Sequence, residues 1–146
     1  MPDRIELDCA GLLERSFEVA AERGGDITPL VFARFFEIAP KAEAFFELDT
    51  LDPQARGRML AEMLTMLVDQ ARGEGYVEPT LATIAADHVA YGVEDFSLYE
   101  AWLEALTDVV RVLNAAQWSP QIALAWQLQS SQFLGALARK RHIAAV

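Results

Sequence analysis

The chain has 146 residues, 53% of them hydrophobic and 23% charged, with a formal net charge of −10. That is the length of one domain able to bury a core without disulfide or metal staples, and the composition excludes disorder. The acidic balance argues against a phosphate backbone as partner, and no apolar run approaches the roughly 18 residues of a membrane span.

One domain over residues 1–146 is therefore expected, soluble and globular, with no nucleic-acid or membrane partner. The opening MPDRIELDCAG lacks the basic-then-apolar order of a secretion signal, so a cytoplasmic address is the default expectation. The single cysteine, Cys9, cannot form an internal disulfide and reads as a small apolar residue.

Proline punctuates the chain where helices begin. Thr28-Pro29, Ala39-Pro40, Asp52-Pro53, Glu78-Pro79 and Ser119-Pro120 each precede a helical pattern. Proline loses nothing in a first turn whose N–H groups lack partners, and Thr28, Asp52 and Ser119 are candidate caps. Strand signals are absent, so the fold class is all-α.

The first helix is predicted from Ile5 to Arg23, burying Cys9, Leu13, Phe17 and Ala20 and ended by Gly24-Gly25. A second starts at Pro29 with Phe32, Phe35, Phe36 and Ala39 on one aromatic face. A short helical turn, Pro40 to Phe46, leads to an acidic loop, Glu47 to Asp52, too polar to bury. The third long helix, Pro53 to Arg72, aligns Gly57, Leu60, Ala61, Leu64 and Leu67, with Gly57 and Ala61 small enough for a close helix crossing.

Gly73-Glu74-Gly75 and Tyr76 connect to the segment Leu81 to Val93, where Leu81, Ile84, Ala85 and His88 recur at helical spacing and Gly92 ends the helix between Tyr91 and Val93. His88 is thus aimed inward. A buried imidazole needs a partner, and a backbone carbonyl, a metal and a haem iron all qualify. The next helix, Glu94 to Leu113, repeats Phe96, Tyr99, Leu103, Leu106 and Val110. The last starts at Pro120 with the stripe Ile122, Trp126, Phe133 and Leu137, and closes on Arg139-Lys140-Arg141-His142, which suits the negative end of a helix dipole.

Several of these residues stand in a familiar order: Phe32 eight residues before Pro40, Phe46 after it, the helix from Gly57 to Leu60, and His88-Val89-Ala90-Tyr91-Gly92-Val93 followed by Tyr99. Over nearly its whole length the chain resembles bacterial single-domain haemoglobins, and it is similar to the haem domain of flavohaemoglobins. The resemblance implies a globin fold, helices A, B, C, E, F, G and H around one pocket for a b-type haem, and reversible binding of O2, CO or NO. It makes His88 the proximal iron ligand, lays Phe46 flat on the porphyrin, and gives Leu64, Ile84, Val93 and Trp102 as pocket walls, with Tyr91 at the helix exit.

The distal side departs from that pattern. Flavohaemoglobins usually carry a tyrosine at the inward position of helix B and a glutamine at the first distal position of helix E; here Phe32 and Arg56 stand there, with Leu60 over the iron. Arg56 can turn inward to a bound ligand or outward to a haem propionate, and Arg58 is a second propionate candidate. Proximally, Tyr99 matches the helix-G tyrosine of flavohaemoglobins, whereas Gln127, Gln129 and Gln132 offer no acidic counterpart to their helix-H glutamate. Ligand binding is therefore expected rather than catalysis. A haem-free sensory or interaction module, and a haem enzyme of nitric-oxide-detoxifying, peroxidase or nitrite-reducing type served by a separate reductase, are the alternatives. Phe96, Trp102 and Trp118 are candidates for a homodimer face, although core placement is the simpler expectation.

Overall fold

The computed structural model describes the backbone of residues 7–144 and the side chains of residues 7–46 and 52–140. Helix α1 spans Cys9–Gly24, α2 Thr28–Ile38, a 3₁₀ segment Pro40–Leu51, α3 Ala55–Ala71, α4 Val77–Ala90, α5 Ser97–Asn114, a 3₁₀ turn Ala115–Gln117 and α6 Pro120–Ala144. There is no strand among the described residues, as the all-α expectation requires. The predicted start of the first helix at Ile5 lies outside the described residues.

Helix starts show how local chemistry sets the boundaries. Asp8 caps α1 by accepting from the Gly11 N–H at 3.0 Å, and Ser119 caps α6 by accepting from the Ile122 N–H at 3.1 Å. Asp52 accepts from the Gln54 N–H at 3.1 Å just before α3. Thr28, expected as a cap, is instead the first residue of α2, and Asp26 accepts its N–H at 3.0 Å. A Thr-Pro pair reads the same in either register, and the Asp26 carboxylate two residues earlier accepts the Thr28 N–H.

A second correction concerns the acidic stretch after Phe46. The backbone of Glu47 to Leu51 continues the 3₁₀ segment that Pro40 begins, rather than forming a loop. Each 3₁₀ turn closes through a local i→i+3 bond, as from the Ala42 N–H to the Ala39 carbonyl at 2.9 Å, and such a turn needs no apolar face.

Packing brings α2 against α5, α4 against α6, and α1 against both α5 and α6, leaving α3 to close the bundle beside α1 and α6. The predicted stripe of α6 is buried throughout: Ile122, Trp126, Phe133 and Leu137. In α1, Leu13 and Ala20 are buried as expected, while Cys9 and Phe17 are half-buried because the inward face centres on Ser16. Ser16 is where three helices meet. Its hydroxyl donates to the Leu13 carbonyl and accepts from Trp126 Nε1, each at 2.9 Å, and its own carbonyl accepts from Asn114 Nδ2 at 2.8 Å. Trp102 is buried, and Phe96 and Trp118 pack half-buried against the core, so none of the three presents an open aromatic face. No helix among the described residues is long and apolar enough to cross a membrane.

Candidate functional site

Helix α4 buries Val77, Leu81 and Ala85, which places Ile84 and His88 on the flank of its inward face. His88 Nδ1 lies 2.8 Å from the Ile84 carbonyl oxygen. A carbonyl only accepts, so Nδ1 carries a proton, and in the neutral imidazole this leaves the lone pair on Nε2, the tautomer that suits a metal ligand. Beyond the helix end, Gly92 takes φ +84°, a conformation that an L side chain resists. The turn lets the Val93 N–H donate to the His88 carbonyl at 2.8 Å, which fixes Val93 beside the imidazole.

His88 opens onto a cleft of about 120 Å³. Of the residues named from sequence, Phe46, Ile84, His88, Val93, Tyr99 and Trp102 line it together. The Tyr99 ring stands 5.5 Å from the imidazole, centre to centre, and Phe96 packs 5.6 Å behind Tyr99. Sequence reasoning missed the wall that α3 contributes. Met59, Met63 and Met66 line the cleft together with His88, as do Glu62, Phe35, Phe133 and Leu137. The i, i+4, i+7 spacing of the methionines was the available signal, a second apolar stripe beside the leucines.

Six of the named residues do not line this cleft. Phe32 is 1% exposed and lies one ring behind it, 5.1 Å from Phe46 and 4.9 Å from Trp102. Arg56 covers this cluster from outside, its guanidinium carbon 5.0 Å from the Phe32 ring centre and 5.6 Å from that of Phe46. Leu60 and Leu64 line a separate cleft beside α1, because α3 turns its methionines rather than its leucines toward His88. Tyr91 caps the end of α4, where the departing backbone swings its side chain outward to 80% exposure. Arg58 pairs with Asp52 at the start of α3; the guanidinium, and then the Gln54 N–H, hold the Asp52 carboxyl below the usual carboxylate range.

The turn into α5 is braced by charge. Lys41, on the 3₁₀ segment, pairs with Asp95, which also accepts from the Ser97 N–H at 2.9 Å and the Ser97 hydroxyl at 2.7 Å at the start of α5. Lys41 first, and Ser97 after it, hold the Asp95 carboxyl far below its ordinary value.

Among the described residues no three His, Cys, Asp or Glu side chains gather to cage a bare metal ion. What the cleft offers is one imidazole nitrogen in walls otherwise apolar but for Glu62, the Tyr99 hydroxyl and Trp102 Nε1, the last buried with no protein hydrogen-bond partner. That donor set fits an iron porphyrin, which brings four nitrogens of its own. Cofactor sites usually enclose about 300–1,000 Å³, so the unbranched methionines are the walls that must yield to admit one.

Comparison with known proteins agrees with the fold. Residues 30–137 match the family described as Globin. Over 139 residues the chain is 31% identical to two rice proteins, each named anaerobic nitrite reductase NSHB5, from Oryza sativa subspecies japonica and indica; the alignments span 92% of this chain and 94% of each relative. With its helices, its inward histidine and both likenesses in agreement, the chain belongs to the globin family, whose members typically bind haem and through it small gases.

Proposed function

We propose that the protein holds a b-type haem through His88 Nε2 and reversibly binds a small diatomic ligand, O2, CO or NO, on the opposite face. The observation that carries this reading is the bond from His88 Nδ1 to the Ile84 carbonyl, which leaves the other ring nitrogen available in an apolar cleft. When bound, the haem would supply an iron that binds the gas; the chain would hold it through His88 Nε2 and exclude water. Phe46 and Ile84 would lie against the porphyrin, with Val93 and Trp102 as walls, and Tyr99 braces the imidazole from behind. Within the globins, the sequence pattern around His88 supports a single-domain haemoglobin similar to those of bacteria.

The test is the absorption spectrum of haem-reconstituted protein beside His88→Ala. Wild type is expected to give a sharp Soret band, and the variant is expected to lose it and regain it with added imidazole. A band that survives the substitution unchanged would remove His88 from the mechanism. Far-ultraviolet circular dichroism separates loss of the ligand from loss of the fold.

A second reading, reduction of nitrite, is favoured by the name of the rice relatives and by Arg56. One-electron reduction of nitrite to nitric oxide consumes two protons and releases water. An external reductant must restore the electron. Arg56 would attract the anion, and the rate of nitrite consumption by reduced protein under nitrogen, compared with Arg56→Leu, decides the matter.

A further inference from the structure

The other side of α3 carries a larger cleft, about 470 Å³, between α3 and α1. It exists because α3 presents Gly57 and Ala61 there while α1 stands off on Leu13 and Phe17; the nearest atom to a side chain built at Gly57 is Thr28 Oγ1, at 3.9 Å. The floor reaches the core: Leu60, Ile27 and Trp126 line it, and each is buried. Its rim is acidic, formed by Glu14, Glu18 and Asp26. Arg72 neutralises Glu14. No described side chain pairs with Glu18 or Asp26 in an ion pair, and the Thr28 hydroxyl and N–H hold the Asp26 carboxyl below the usual range, keeping it charged.

Size decides between occupants. A helix about 10–12 Å across rises 5.4 Å per turn, so this volume seats only about one turn of a partner helix. It falls instead within the roughly 300–1,000 Å³ of small-molecule sites, which are likewise apolar with a few polar groups at the edge. The charge excludes an anionic head group and favours a cationic one, in a chain whose net charge of −10 adds to the attraction. We propose that the cleft between α1 and α3 binds an amphiphile with a single hydrocarbon chain and a cationic head group, its chain on Leu60 and Trp126 and its head between Glu18 and Asp26. The site stands apart from His88 and does not require haem.

The probe is dodecyltrimethylammonium below its micelle concentration, titrated into the full chain by calorimetry and tryptophan fluorescence. One saturable site is expected, with dodecanoate, the same chain bearing the opposite charge, at least tenfold weaker. Ala61→Trp fills the cleft from an exposed position and is expected to weaken binding at least tenfold; Thr65→Phe, on the same face, is the substitute should that variant not fold. Glu18→Gln with Asp26→Asn is expected to weaken binding three- to tenfold at low salt, a difference that high salt removes. Equal affinity for the two amphiphiles, non-saturable uptake, or binding that survives filling the cleft but is lost on Met63→Trp in the His88 cleft would each overturn the proposal.

Discussion

The guanidinium carbon of Arg56 stands 5.0 Å from the centre of the Phe32 ring, with Phe36 and Phe46 completing the aromatic bed beneath it. Phe46 also lines the His88 cleft, so a positive charge is held one ring away from the space where a ligand would bind. At an effective dielectric of about 20, a charge roughly 10 Å from an anion contributes about 1–2 kcal/mol. Arg56→Leu is therefore expected to weaken azide binding to the ferric haem-loaded protein about 5- to 30-fold while leaving CO affinity nearly unchanged. Arg56→Lys should keep much of the azide effect. Equal losses for azide and CO would show that the substitution disturbs packing rather than charge.

Phe32 is 1% exposed and ringed by Phe35, Phe36, Phe46 and Trp102. Phe32→Tyr puts a hydroxyl into that apolar cluster, with opposite consequences for the haem-free and the loaded protein. Without a ligand, a buried unpaired hydroxyl costs about 1–3 kcal/mol, and the melting temperature of the haem-free protein should fall. If seating the haem draws Phe46 aside so that position 32 reaches bound O2, the same hydroxyl donates to the polarised ligand and should slow its dissociation by a comparable free energy, about 5- to 150-fold. Stopped-flow O2 displacement by CO measures the rate; an unchanged or faster off-rate would mean that position 32 does not reach the ligand.

The Asp95 carboxyl, bonded by Lys41 and Ser97, titrates well below its ordinary value in the folded state. A depressed folded pKa stabilises the protein above the unfolded pKa of about 3.9, and the contribution is lost as pH falls through the folded value. Asp95→Asn should lower the melting temperature at pH 6, and the gap from wild type should narrow steadily below about pH 4. Because Lys41 joins the 3₁₀ segment to the start of α5, the variant should also loosen the walls beside Tyr99, seen as faster amide exchange at Ser97 and Leu98. A gap independent of pH would assign the effect to packing instead.

How much of this was legible beforehand depended on whether one side chain or its neighbours decided the outcome. The inward face of α4 followed from Leu81, Ala85 and His88 alone, since a 3.6-residue period fixes a face whatever packs on it. The stripes of α5 and α6 were legible for the same reason. α3 was not, because Leu60, Leu64 and Leu67 run beside Met59, Met63 and Met66 only one step, about 100°, around the helix. An apolar arc that broad says the helix is covered on two sides and leaves open which cleft each stripe meets. Tyr91 was misjudged for a related reason: being next to an inward residue in sequence does not place a cap residue inside. The tie at Ser16 escaped notice because a lone serine in a helix carries no signal until Trp126 and Asn114 are known to lie against it.

That tie yields the last prediction. Trp126 is 1% exposed and its Nε1 donates to the Ser16 hydroxyl at 2.9 Å. Ser16→Ala leaves the indole N–H buried without an acceptor, which costs about 1–3 kcal/mol, more than the bond itself contributes. Trp126→Phe removes the donor as well as part of the ring, so it adds a cavity cost of its own. If the two groups act as a pair, the double variant should be more stable than the sum of the single losses predicts, by about 1 kcal/mol. Urea unfolding of the four proteins measures this through the midpoint at constant slope. Simple additivity would mean that Ser16 matters for its packing between α1 and α6 and not for its hydroxyl.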